Sequence, residues 1–280
     1  MKEIKAREIT KHVKEACIEA CYVLPDDVFA SLKHAWGKEE SPVGKTVIDE
    51  IIENAEIAKA ERVPICQDTG LTLVFVELGQ DVHIVGGSMY DAINEGVRQG
   101  YEEGNLRKSI VQHPLDRINT GDNTPAVIHT QIVHGDSLRI IIAPKGGGSE
   151  NMSIARVLKP SDGLNGVRKF VVDAVRSAGP SPCPPIIVGI GLGGNLEKAA
   201  LLSKKAILRK VGEPNPNSID AEIERDLLKA VNSTGVGPAG LGGRVTALAV
   251  HVESYPCHIA SLPVAITIQC HAARHKEIVL

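Results

Sequence analysis

The spacing of apolar residues changes character near position 62. Residues 9–24 place Ile9, Val13, Ala16 or Cys17, Ala20 or Cys21 and Leu24 near one stripe, the 3.6-residue period of a half-buried helix. Pro25-Asp26-Asp27 reads as the start of a second helix, and the stretch from Val43 to about Glu61 reads as a third. Residues 1–62 are therefore expected to form a helical N-terminal region, with the charge run at 2–8 as a solvated helix face.

Beyond position 70 the period shortens. Residues 71–78 read as a strand, 90–104 as a helix ended by glycine, and 126–133 with 137–144 as a strand pair turning at His134-Gly135-Asp136. Helices are expected near 151–158 and 162–178, then a strand at 186–190 and helices near 195–209 and 218–231. Two strands, 245–252 and 263–270, close the pattern. The prediction is one α+β (mixed α/β) domain over 1–280, a helical N-terminal region followed by mixed sheets flanked by helices; strand order stays open. No internal repeat is present.

Composition narrows the function. A chain of 280 residues with 43% hydrophobic residues can bury a substantial core. Aromatics are only 3%, too few for base-stacking platforms or an interfacial belt. The net charge is −3 with both signs interleaved, so an anionic substrate must be met by locally placed Arg or backbone N–H groups. Without an apolar N-terminal leader or a run of 18 apolar residues, a cytoplasmic chain with no nucleic-acid or membrane partner is expected. Cysteines stand at 17, 21, 66, 183, 257 and 270 with no C-x-x-C, so the thiols are expected to be reduced or to ligate a metal from distant segments.

The densest chemistry is Cys66-Gln67-Asp68-Thr69-Gly70, after Pro64. Asp-Thr-Gly alone suggests an aspartic protease, but no second such triplet exists to complete a dyad. Gly44-Lys45-Thr46 imitates the end of a P-loop, yet Glu39 occupies the position of the first glycine and no strand precedes it. Cys17 and Cys21, at i and i+4, suit either a metal or a buried apolar stripe. Cys183 is fenced by Pro182, Pro184 and Pro185, and Cys270 ends the last strand, so both lie at strand ends, where loops carry function. The loop 144–152, with Gly146, Gly147 and Gly148, suits either a flexible connector or close backbone approach to an anion. Residues 189–194 follow a strand as GxGxGG, not the dinucleotide spacing, and read as a tight backbone wall with anion-binding potential. Arg107 and the polar stretch 117–124 suit either an ordinary surface loop or carboxylate recognition.

Taken together, P-x-CQDTG (64–70), R-x-S (107–109), RINTGDNTPA (117–126), KGGGSENMS (145–153), CPPIIVGIGLGG (183–194) and H-x-x-SLPVAITIQCHAAR (258–274) resemble the iron–sulfur hydro-lyases, class I fumarate hydratases and L-tartrate dehydratases, in their α subunit or equivalent amino-terminal half. The resemblance implies that Cys66, Cys183 and Cys270 ligate three irons of a 4Fe-4S cluster whose fourth, open iron binds substrate. It assigns Gln67, Arg107, Gly147 and Gly148 to substrate binding. Asp68 and His258 are the acid/base candidates, with the proton's carrier left open. It further implies a β subunit supplying a base on the opposite face, and a C4 dicarboxylate substrate: fumarate and L-malate, a step of the tricarboxylic acid cycle, or L-tartrate going to oxaloacetate. A non-enzymatic iron–sulfur sensor is a third reading, disfavoured by the substrate-binding residues. Cys17, Cys21 and Cys257 match no ligand, and Cys257 is expected in the core.

Overall fold

The computed structural model describes residues 2–280. The elements run β1 (Lys2–Lys5), α1 (Ala6–Tyr22), α2 (Asp26–Lys38), α3 (Pro42–Glu61), β2 (Leu71–Gly79), β3 (Val82–Val85), α4 (Met89–Glu103), β4 (Val127–Val133) and β5 (Leu138–Lys145). They continue with α5 (Gly147–Glu150), β6 (Ile154–Leu158), α6 (Gly163–Ala178), β7 (Ile186–Gly193), α7 (Leu196–Ala206), α8 (Ser218–Asn232), β8 (Ala247–Tyr255), β9 (Leu262–Gln269) and β10 (Lys276–Val279). The fold is α+β with mixed sheets. No helix among the described residues is long and apolar enough to cross a membrane.

The chain forms two compact units, and one of the crossings between them falls within α3. One holds the residues up to Pro25, Asn54–Gly147 and Arg274–Leu280; the other holds Asp26–Glu53 and Gly148–Ala273. In the first, a four-stranded sheet has the order β10-β5-β2-β4, and β1 pairs with β3 separately. Ile9, Val13 and Cys17 of α1 pack with Ile93, Val97 and Tyr101 of α4 and with sheet residues such as Val74, Ile140 and Ile142. The two helices approach closely because α4 presents small residues: a Cβ on Gly96 would lie 2.7 Å from the Thr10 carbonyl oxygen, and one on Gly100 would lie 2.9 Å from Cys17 Cβ. Thr10 Oγ1 donates to the Ala92 carbonyl at 3.0 Å across this seam.

In the second unit the sheet order is β6-β9-β7-β8, with β7 parallel to β8 and antiparallel to β9. Strand β7 is buried on both faces, and its two-residue alternation divides the work. Ile186, Val188 and Ile190 join a core with Val171 and Val175 of α6 and Leu227 and Val231 of α8. Gly189 and Gly191 point the other way, where a Cβ would lie 2.3 Å from the Ser203 carbonyl oxygen or 1.9 Å from that of Ala199 on α7. The run read as a backbone wall is thus mostly strand, with glycines that admit a helix.

Several expectations are corrected. Residues 2–5 form β1 and not a helix face: only Ile4 is buried, and the strand pairs in parallel with β3. Residues 154–158 form β6 and not a helix, because Ile154 to Leu158 complete the open edge of β9 in antiparallel register. Strands β4 and β5 are not partners; β2 lies between them, parallel to β4 and antiparallel to β5. The turn at His134-Gly135-Asp136 joins strands two positions apart in the sheet. Strands β3 and β10 lay outside the sequence reading. Cys257 is exposed, not in the core.

Candidate active site

The first unit carries Cys66, Gln67, Asp68, Arg107 and Gly147 of the predicted site. The turn 65–70 rests on a buried bed of hydrogen bonds. The Ile65 N–H donates to the Cys21 carbonyl at 2.9 Å, and Asn54 Nδ2 donates to the Ile65 carbonyl at 2.9 Å. The Tyr101 hydroxyl donates to the carbonyls of Thr69 at 2.7 Å and Gly70 at 3.1 Å, Asn123 Nδ2 donates to Gly70 at 3.2 Å, and Arg274 Nη2 donates to the Asp68 carbonyl. Gly70 has φ +73° and its Cα faces the Lys145 backbone, where a Cβ would collide at 2.6 Å. Only glycine fits there.

On this bed sit the candidate groups. The Asp68 carboxylate accepts from the Gly70 N–H at 2.9 Å through Oδ1 and from the Gly147 N–H at 2.8 Å through Oδ2. Cys66 Sγ accepts from the Asp68 N–H at 3.4 Å and lies 3.4 Å from Gln67 Oε1. Gln67 and Arg107 are exposed, Cys66 and Asp68 half-buried. Thr69 Oγ1 donates to the Arg107 carbonyl at 2.8 Å, so the two segments are tied together. In the stretch 117–124, Asn119 Oδ1 accepts from the Gly121 N–H at 2.7 Å and Asp122 Oδ1 from the Thr124 N–H at 2.9 Å. Burial pushes the Asp122 carboxyl up, but the hydrogen bonds from the Thr124 N–H and hydroxyl help hold the group below its ordinary range.

The second unit carries Gly148, Cys183, His258 and Cys270. Cys183 is exposed, at φ +53°, and its N–H donates to the Pro180 carbonyl at 2.9 Å. The His271 N–H reaches the Cys183 carbonyl at 3.4 Å and its Nδ1 lies 2.9 Å from the same oxygen, which brings the Cys270 segment against that of Cys183. Gly148 belongs here too: a Cβ on it would lie 3.5 Å from the Ser181 carbonyl oxygen. His258 is exposed, and its Nδ1 accepts from the Ala260 N–H at 3.1 Å, so the neutral ring carries its proton on Nε2.

No three His, Cys, Asp or Glu side chains among the described residues are gathered as a metal would need. The donor chemistry nevertheless sorts the thiols. All six are outside disulfides; Cys17 and Cys21 are buried, while Cys66, Cys183, Cys257 and Cys270 are exposed or half-buried. Burial pushes the Cys17 thiol well above its ordinary range, with Cys21 adding to it, and pushes Cys21 up to about 11. Ligation needs thiolates, and burial disfavours that form in Cys17 and Cys21. Tyr101, Asn54, Asn123 and Arg274 were not found by sequence reasoning. Asn54 is exposed and the other three are buried, and their only signal is a polar residue type, whose tertiary partner a single sequence does not disclose.

Comparison with known proteins places the chain among the hydro-lyases. The model of the fumarate hydratase (Fumerase) family matches residues 10–279. A Methanocaldococcus jannaschii chain provisionally named L(+)-tartrate dehydratase subunit alpha is 45% identical over 276 residues, covering 95% of both chains. The Escherichia coli K12 L(+)-tartrate dehydratase subunit alpha is 34% identical over 261 residues, covering 92% of this chain and 86% of that one. The chain belongs to the class I fumarate hydratase and L-tartrate dehydratase α-subunit family.

Proposed function

We propose that this chain is the α subunit of a two-subunit iron–sulfur hydro-lyase that adds water reversibly to fumarate to form L-malate, and that it needs a β subunit to do so. The observation that carries the reading is the turn 66–70: an accessible thiol, an exposed amide and a carboxylate fixed by two backbone N–H groups stand side by side on a buried base. Cys66, Cys183 and Cys270 would hold a 4Fe-4S cluster, a role that accessible thiols outside disulfides suit. When bound, the cluster supplies Lewis-acid polarisation at the iron that lacks a thiolate.

The chain's own residues do the rest. Arg107 offers a guanidinium fork to a substrate carboxylate, Gln67 an amide beside it, and Gly147 and Gly148 a backbone without side chains against which the substrate can lie. In hydration, Asp68 accepts a proton from the attacking water; in dehydration it returns that proton to the leaving hydroxyl. The proton at the neighbouring carbon is handled by a base of the β subunit on the opposite face. His258 is the alternative to Asp68 as carrier of the water proton, its Nδ1 accepting from the Ala260 N–H.

A second reading, L-tartrate dehydration, is favoured by the names of the relatives at 34% and 45% identity. The test is anaerobic reconstitution with and without the β partner, followed by turnover of malate and tartrate. Malate turnover that requires the partner supports the first reading; a strong preference for tartrate replaces it with the second. Cys66→Ala, Cys183→Ala and Cys270→Ala are each expected to abolish the cluster's visible absorbance, and Cys17→Ala and Cys21→Ala to retain it. Intact absorbance in any of the first three overturns the ligand set.

A further inference from the structure

Arg274 is only 4% exposed. Its Nη2 donates to the Asp68 carbonyl from beneath the turn 65–70. Three other carbonyls of that turn are held by neutral groups: Asn54 on Ile65, Tyr101 on Thr69 and Gly70, and Asn123 on Gly70. Neutral donors suffice to hold a turn. A guanidinium is permanently charged and costly to bury, so its place under Asp68 asks for an electrostatic reason. Its field reaches its neighbours: it pulls down the Cys21 thiol against the burial that raises it.

We propose that Arg274 is a positioning residue that both fixes the Cys66-Gln67-Asp68 turn and places a permanent positive charge behind the anions gathered there. The proposal rests on the cluster and substrate reading above. Under that reading the turn contributes a thiolate and a carboxylate and meets a dianionic acid, all of one sign. A buried cation at its back offsets their repulsion without occupying the accessible face. The same peptide that carries Cys270 carries Arg274 four residues later, so one short segment supplies a proposed ligand and the support of another.

The test compares Arg274→Gln, Arg274→Lys and Tyr101→Phe in the full chain. Tyr101→Phe removes a hydrogen bond to the turn and no charge; Arg274→Lys keeps the charge; Arg274→Gln removes it. Amide hydrogen exchange of the cluster-free chain is expected to quicken across 65–70 about tenfold in Arg274→Gln, the equivalent of one charge-assisted hydrogen bond. With the β partner and reconstituted cluster, Arg274→Gln is expected to shift the cluster's midpoint potential negative and to speed iron loss to a chelator about tenfold, while Arg274→Lys restores both and Tyr101→Phe leaves the potential unmoved. Unchanged exchange in Arg274→Gln overturns the positioning role. Equal potentials in Arg274→Gln and Arg274→Lys overturn the charge role. If the wild-type chain takes up no iron, the cluster reading and with it the charge role fall, and the exchange result still decides whether Arg274 holds the turn.

Discussion

Glu39, the residue that spoils the P-loop imitation, has a different task. It is 1% exposed, and its carboxylate accepts from the N–H groups of Glu40, Ser41, Arg244 and Val245 at 2.9–3.0 Å. Burial pushes its pKa up, but these four donors outweigh it and hold the group below the ordinary carboxylate range. Since the folded pKa is depressed, its contribution to stability is present above the unfolded value, roughly pH 4, and is lost as pH falls through the folded value. Glu39→Gln, which puts an NH₂ against a backbone donor, should destabilise by roughly 1–3 kcal/mol at pH 7, with a smaller difference at pH 3.5. Urea titrations at the two pH values read this out, and equal losses at both would contradict it. The thiols make a second prediction at this scale. Alkylation of the cluster-free native chain at pH 7.5, followed by mass spectrometry, should label Cys66, Cys183, Cys257 and Cys270 and spare Cys17 and Cys21, whose thiolates are suppressed by burial.

Elements here are joined through backbone approach as much as through side-chain volume. Helix α7 lies on β7 where Gly191 leaves no room: a Cβ there would sit 1.9 Å from the Ala199 carbonyl oxygen. Gly191→Ala must push the helix off the strand, and a loss of about 3 kcal/mol, the upper part of the usual overpacking range, is expected. Gly37 in α2 has nothing within 4 Å of such a Cβ. Gly37→Ala should therefore stabilise, by a few tenths to about 1 kcal/mol, through restriction of the unfolded chain. Opposite shifts in Tm are the expected result. A Gly191→Ala variant that melts with the parent would refute the close contact.

For the whole molecule, the candidate residues are divided between two compact units, so function has to be assayed on the full chain, with the proposed β subunit added. Asp68→Asn keeps an acceptor oxygen for one of the two N–H groups that hold the side chain and removes the proposed proton carrier. The expected outcome is an intact cluster spectrum with turnover reduced roughly 10²–10⁴-fold, the usual value of a positioned acid or base. Near-normal turnover would take Asp68 out of the mechanism.

The sequence alone determined what is local or written in contiguous motifs. Helices α1, α3, α4 and α6 were legible because an amphipathic period recurs within a few turns, and the turn 66–70 because its residue types are improbable together outside a reactive loop. The family was legible because six such motifs appear in one order. The strand order was decided only by tertiary structure: β2 separates β4 from β5, and β6 becomes a strand only because β9 offers an open edge. So were the buried supports Tyr101, Asn123 and Arg274, the exposed setting of Cys257, and the use of Gly189 and Gly191 to admit α7 rather than an anion. Pairing, burial and backbone approach are relations between residues distant in sequence, and periodicity within a single segment carries no record of which distant surface meets it.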